Sequence, residues 1–289
     1  MTLSTPDELD AALRRAAPAE RLLVASDFDG TLAPLADDPM SVRMTPAGRA
    51  AVEELAALPD TTVALVSGRS LHDLEIIAEH SDDSPIVLAG SHGAEFRFPG
   101  AGAGAGPGPG AEALPGPGAV EPDVPDEDLA LRDVLRAHAE ALIAGIDGAW
   151  IEPKTFGFGV HTRRVGSASA AREANARVDA LVRARAPHWR RRTGHSIVEY
   201  AFRHEGKDDA VARLRARLGA TCVVFAGDDV TDEDALESLW PGDVGVHVGA
   251  GPTAAAVRVA DIPAFAAFLA ELAGRRATRA PAPARRAGI

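Results

Sequence analysis

The chain is 289 residues long, with 46% hydrophobic and 25% charged residues, a formal net charge of −12 and one cysteine, Cys222. This length accommodates one large or two modest domains, and with only 4% aromatic residues their cores must be built mainly from Ala, Val and Leu. The acidic balance argues against nucleic-acid or anionic-membrane binding, a single cysteine excludes an intrachain disulfide, and no apolar run is long enough to span a bilayer.

From Met1 to Glu8 no basic segment precedes an apolar one, so no signal peptide is expected and the cytoplasm is the expected location. The apolar run at 22–26 predicts a buried strand. Thr45-Pro46 opens a helix, with a capping residue followed by Pro at the first helical position. Thr61–Val66 predicts a second strand ending at Ser67-Gly68-Arg69, followed by a helix to about Glu79 and a strand at Ile86–Ala89. Strands and helices alternating at this spacing imply right-handed βαβ units and a parallel sheet. From Pro99 to Gly118 the chain is almost entirely Gly, Ala and Pro, which buries too little apolar surface to offset its backbone entropy and predicts a flexible connection. A helix is expected from Asp126 to Ile143, strands at Ala149–Glu152, Phe156–Thr162 and Ser196–Phe202, and a helix near Ala168–Arg185. The run Arg190-Arg191-Arg192 beside Trp189 reads as an alternating exposed strand rather than a nucleic-acid patch. The βαβ rhythm then resumes, with a helix at Lys207–Leu218, a strand at Cys222–Ala226, a helix after Thr231, a strand at Gly245–Val248 and a last helix at Pro263–Ala273.

The expected architecture is therefore α/β: a doubly wound, Rossmann-like parallel-sheet core with an inserted α+β cap domain. Residues 1–98 and 204–274 form the two parts of the core, 99–120 the flexible connection, 121–203 the cap and 275–289 a disordered tail.

Four polar clusters fall at the carboxyl ends of core strands or at helix starts: Asp27/Asp29, Ser67, Lys207 and Asp228/Asp229. An open α/β sheet gathers such positions into one crevice. Two carboxylates two residues apart at a buried strand end are electrostatically costly unless a cation or a proton is shared between them. One carboxylate is suited to attack phosphorus, a second to move the proton, and lysine and serine to hold phosphate oxygens. Each piece alone has a plainer reading: a turn, a helix cap, a solvated lysine, an acidic helix start. All four in order at strand ends do not.

In this order the motifs resemble those of the haloacid dehalogenase-like phosphatases. The resemblance implies Asp27 as nucleophile, Asp29 as general acid/base, and Ser67, Gly68, Arg69 and Lys207 as phosphate-binding. It also implies Mg2+ held by Asp27, the Asp29 carbonyl and Asp228, with Asp229 close by; which of Asp228 and Asp229 touches the metal stays open. A narrower resemblance, to trehalose-6-phosphate phosphatases, rests on Ser67-Gly68-Arg69, Gly90-Ser91-His92-Gly93-Ala94-Glu95 and Gly227-Asp228-Asp229-x-Thr231-Asp232-Glu233. It rests also on Glu152-x-Lys154 with His161-x-Arg163, Gly194-His195 with Glu199, and Val248-Gly249 with Pro252-Thr253. It implies hydrolysis of trehalose 6-phosphate to trehalose and phosphate, the last step of trehalose biosynthesis, with His92, Glu95, Glu152, Lys154, His161, Arg163 and Glu199 binding the sugar. The rivals are a related phosphatase for sucrose phosphate or mannosylglycerate phosphate, and a catalytically retired sugar-phosphate-binding module. No glycosyltransferase segment precedes the motifs, so functional coupling to a separate trehalose-6-phosphate synthase is expected.

Overall fold

The computed structural model describes residues 2–36, 38–100, 118–120, 124–194 and 196–278. Most of the expected Gly/Ala/Pro connection, His195 and the chain from 279 onward lie outside the described residues.

The main sheet is organised by its central strand, β1 (Leu22–Ser26), which is buried along its whole length. Side chains alternate across a strand, so Leu22 and Val24 enter one apolar layer and Leu23 and Ala25 the other. Beside β1 lie β2 (Thr61–Val66) and then β3 (Val87–Gly90), all parallel. Two short strands, β4 (Glu95–Phe98) and β5 (Gly118–Val120), extend this side antiparallel. On the other side of β1 lie β10 (Cys222–Gly227), β11 (Val244–Val248) and β12 (Val257–Val259), again parallel. The sheet order is β12-β11-β10-β1-β2-β3-β4-β5. One face is covered by α1 (Pro6–Ala16), α2 (Pro46–Ala56), α3 (Leu71–Ile77) and α8 (Ile262–Ala277). The other is covered by α6 (Lys207–Leu218) and α7 (Glu233–Glu237). Helices on both faces of a mostly parallel sheet make this the doubly wound α/β class that the alternating pattern implied.

The second sheet comes wholly from the segment inserted between β5 and α6. Strands β6 (Trp150–Lys154), β7 (Gly157–His161), β8 (Arg190–Gly194) and β9 (Ile197–Ala201) pair antiparallel in the order β6-β7-β9-β8. Helices α4 (Asp126–Ile143) and α5 (Ala168–Arg185) pack on one face through Leu135, Ala139, Val178, Phe158, Val198 and Tyr200. The other face carries charged side chains and looks across at the carboxyl end of the main sheet. The arginine run lies in β8, where Arg190 bonds Asp234, Arg191 bonds Asp179 and Arg192 donates to the Glu205 carbonyl.

Helix α1 and strands β4, β5 and β12 were not read from the sequence. The strands are three or four residues long, too short for period-2 alternation to register, and pairing with a longer neighbour forms them. For α1 the signal was present: Thr5 and Glu8 form a reciprocal capping box with Pro6 at the first helical position.

The last helix corrects a second expectation. It continues past Ala273 to Ala277, where disorder from residue 275 was expected. Arg276 is the reason: it is 4% exposed and donates to the carbonyls of Ala17, Ala19 and Asp60 and to Thr61 Oγ1. Arg276→Ala would remove four hydrogen bonds at this buried end of the helix and should cost about 2–4 kcal/mol, read as a lower urea midpoint. An unchanged midpoint would show that this anchor contributes nothing. Among the described residues no helix is long and apolar enough to cross a membrane.

Candidate active site

Strand β1 delivers Asp27 to the sheet edge, where its backbone N–H donates to the Ala226 carbonyl at 2.8 Å. The turn that follows wraps round buried Phe28, whose carbonyl accepts from Leu32 and Ala33. Gly30 sits in that turn at φ +84°, the left-handed region that favours glycine, and a Cβ there would lie 2.1 Å from Asp228 Oδ2. The missing side chain is what lets the loop after β10 bring Asp228 up to the loop after β1. Thr31 Oγ1 donates to Asp228 Oδ1 at 3.1 Å and closes the contact.

Lys207, the first residue of α6, is 3% exposed and bridges two acids, with Nζ 2.7 Å from Asp27 Oδ1 and 2.6 Å from Asp232 Oδ1. Carboxylate oxygens of Asp27, Asp228 and Asp232 lie within 4.8 Å of one another. Burial drives the Asp27 carboxyl well above the usual carboxylate range against the pull of Lys207, and burial with the nearby Asp232 pushes Asp228 up to about 6. Burial opposes the Lys207 ammonium, but Asp232 and Asp27 hold its pKa above the ordinary lysine value. Three acids against one lysine is a set that favours an added cation, and all-oxygen donors suit a hard dication. The donors are not equivalent. Both Asp232 oxygens already accept hydrogen bonds, Oδ1 from Lys207 and Oδ2 from the Asp228 and Asp229 backbone N–H groups. Asp228 engages Thr31 through Oδ1, which leaves its Oδ2 as the better ligand atom for a metal, while Asp27 engages Lys207 through Oδ1.

Asp29 is gripped by Arg69, whose Nε and Nη2 donate to its two oxygens at 2.7 and 2.6 Å. Burial works against the guanidinium, but Asp29 raises its pKa nonetheless. Ser67, 2% exposed, follows β2 and accepts from the Arg69 N–H at 3.1 Å. Gly68 makes room for the next group: a Cβ there would come within 2.7 Å of the His92 ring. His92 reaches across to the second sheet, with Nε2 2.9 Å from Glu199 Oε2.

On that sheet an alternating chain of charges continues from His92. Glu199 Oε1 meets Lys154 Nζ at 3.1 Å, Lys154 meets Glu152 at 3.0 Å, and Glu152 meets His161 Nε2 at 2.8 Å. Burial pushes Glu199 up, but Lys154 and His92 more than offset it and hold the carboxyl well below the usual range. Burial lowers the His92 pKa from its ordinary 6.5 despite Glu199. Both shifts act in the same direction. Each group binds a proton more weakly folded than unfolded, so its contribution to stability is complete above its unfolded value and is lost as pH falls. Thermal midpoints should therefore decline on acidification from about pH 6.5, more steeply below about pH 4.5, and Glu199→Gln should flatten the lower limb. An unaltered profile in that variant would remove Glu199 as the source.

One cavity of about 930 Å³ lies between the two sheets and is lined by Asp27, Asp29, Ser67, Lys207, Asp228 and Asp229, and by the polar face of the second sheet. Gly68, Arg69, His92, Glu152, Lys154, His161, Arg163 and Glu199 also border it. Glu95 does not. Its carboxylate accepts from the Leu71 N–H at 3.2 Å and from Ser91 Oγ, tying α3 to the turn after β3, away from the residues that line the cavity. Asp229 lies outside the three-acid cluster: Oδ1 accepts from the Val230 N–H, and a Cβ at Gly194 would lie 3.1 Å from Oδ2. Two residues of the site were given no role from the sequence: Asp232, quoted only within the motif that starts at Gly227, and Trp150, readable from the i, i+2, i+4 register it shares with Glu152 and Lys154.

The family model described as Trehalose-phosphatase matches residues 25–261. A trehalose-phosphate phosphatase of Mycobacterium marinum is 32% identical over 254 residues, covering 84% of this chain and 58% of that protein. A bifunctional trehalose-6-phosphate synthase/phosphatase of Thermoproteus tenax is 30% identical over 259 residues, covering 89% of this chain and 32% of that protein. The chain thus spans little more than half the length of the first relative and about a third of the second. The C-terminal domain of a C. albicans trehalose-6-phosphate phosphatase shares the fold with a TM-score of 0.76 at 20% identity, covering 95% of this chain and 99% of that one. With its motifs gathered round one cavity and the model matched over residues 25–261, the chain belongs to the trehalose-phosphatase family.

Proposed function

We propose that the chain hydrolyses trehalose 6-phosphate to trehalose and inorganic phosphate, with Mg2+ as cofactor. The observation that carries this reading is that Asp27, Asp29, Ser67 and Lys207 line one cavity together with the Glu152–Lys154–Glu199 face. Carboxylates and a lysine on that face are matched to sugar hydroxyls, while the opposite wall carries the groups for phosphoryl transfer.

Lys207 holds Asp27 Oδ1, so Oδ2 attacks phosphorus while the bond from phosphorus to the sugar oxygen breaks. Asp29 gives its proton to the departing sugar oxygen. In the second half Asp29 takes a proton from water, the water oxygen attacks phosphorus, the bond to Asp27 breaks and phosphate leaves. Arg69 fits this cycle as a shared partner: an incoming phosphate competes for the guanidinium that otherwise donates to both Asp29 oxygens, and Ser67 and Lys207 take the remaining phosphate oxygens. Mg2+ held by Asp27, Asp228 and the Asp29 carbonyl would supply the charge that offsets the nucleophile and the phosphate together. Residues 121–203 act as the cap, excluding bulk water during transfer and bringing Lys154, His161 and Arg163 to the sugar. A cytoplasmic enzyme working with a separate synthase completes the reading, and the T. tenax relative, which joins both names in one chain, supports the coupling.

Phosphate release from trehalose 6-phosphate, sucrose phosphate, mannosylglycerate phosphate and glucose 6-phosphate, with and without Mg2+, tests the assignment. Preference for any other sugar phosphate would displace trehalose, and binding without turnover would favour a retired module.

A further inference from the structure

The cap face holds one large aromatic that the chemistry above leaves unused. Alternation along β6 places Trp150 on the cavity side with Glu152 and Lys154, while Ile151 between them joins the apolar layer under the helices. Trp150 is directly opposite His161 on β7, and the two rings stack 4.0 Å apart at an interplanar angle of 4°. The imidazole is itself held, with Nε2 on Glu152 at 2.8 Å, so the indole rests against a fixed plate. Trp150 is nevertheless 38% exposed, and its open part borders the same cavity as Asp27. Two other exposed apolar side chains, Leu35 and Val230, border that cavity as well. A wall that alternates bound charges with a pinned indole is suited to a ligand having a polar edge and an apolar face. A pyranose ring is such a ligand, with hydroxyls round its edge and C–H bonds on its face.

We infer that Trp150 is the stacking platform for a pyranose ring of the substrate, held flat by His161, and that it sets affinity for the sugar rather than the rate of phosphoryl transfer. The inference rests on the sugar-phosphate reading and adds to it the surface that selects a ring over a small phosphate ester. Besides its place among the sugar-facing residues, His161 supports the platform: its Nε2 is held by Glu152 and its face backs the indole.

Trp150→Ala, Trp150→Phe and Trp150→Leu test this, each assayed with Mg2+ on the sugar phosphate that wild-type protein prefers and on acetyl phosphate, which has no ring. The alanine variant should raise KM for the sugar phosphate about five- to tenfold with kcat within about twofold. Phenylalanine should recover most of that loss and leucine little of it, and acetyl phosphate turnover should change less than about twofold in all three. An unchanged sugar-phosphate KM in Trp150→Ala overturns the platform, as does equal loss on acetyl phosphate or rescue by leucine as good as that by phenylalanine. Wild-type protein that hydrolyses acetyl phosphate and no sugar phosphate overturns the functional reading and the platform together. Wild-type activity on a sugar phosphate with an unaffected alanine variant overturns the platform alone.

Discussion

Asp27→Asn should lower phosphate release by at least about 10⁴-fold while leaving the protein folded. Asparagine keeps an oxygen for Lys207, which lies 2.7 Å from Asp27 Oδ1, and has nearly the same volume, so packing at the end of β1 is preserved. What is lost is the second anionic oxygen, and with it the bond to phosphorus. Stability should change little, because burial already drives the Asp27 carboxyl well above its usual range and the charged form is costly to keep there. The two effects separate cleanly: phosphate release should collapse at an unchanged thermal midpoint, and mass spectrometry should find no phosphoryl group on the protein. Turnover near the wild-type rate would overturn the covalent mechanism and return Asp27 to a purely structural role.

Lys207→Met should be the most destabilising single change in the site, at about 3–5 kcal/mol. Among the described residues the lysine is the only cation within 3 Å of both Asp27 and Asp232, and all three side chains are buried. Methionine fills the space of the stem but leaves two carboxylates facing each other without the charge between them. Adding Asp232→Asn to that variant should recover part of the loss, since one of the unpaired charges is then removed. A double-mutant cycle in urea measures this coupling, and additive costs would show that the Lys207–Asp232 pair contributes nothing. Asp232→Asn alone should loosen the loop after β10, because the same carboxylate accepts from the N–H groups of Asp228 and Asp229 at 3.2 and 3.1 Å.

Much of the catalytic wall was legible before any fold was known because strand ends are easy to see. A run such as Leu22-Leu23-Val24-Ala25, short and followed at once by polar and turn-forming residues, reads as a buried strand, and an acid two residues after it stands at that strand's carboxyl end. Val223-Val224-Phe225 with Asp228 repeats the case on the neighbouring strand, whose register sets Ser26 opposite Ala226. The cap was harder. Its residues were read from strings rather than from positions, and Glu95 shows how far neighbours in one string diverge in space. It stands three residues after His92, yet its carboxylate bonds the start of α3 while His92 turns toward Glu199. The left-handed backbone at His92, φ +58°, sends neighbouring side chains to different places, and residue type carries no sign of it.

Local order in the chain determined the α/β class, the insertion of a second sheet, and the identity of the acids and the lysine at the strand ends. These follow from short-range patterns: apolar periodicity, helix capping, and the placing of polar residues where strands stop. Only the tertiary structure decided the partners. Arg69 on Asp29, Lys207 between Asp27 and Asp232, the charge chain from His92 to His161, and Trp150 against His161 join residues distant in sequence or on neighbouring strands. Such contacts depend on register and crossing geometry, and one residue of register turns a side chain to the opposite face of its sheet.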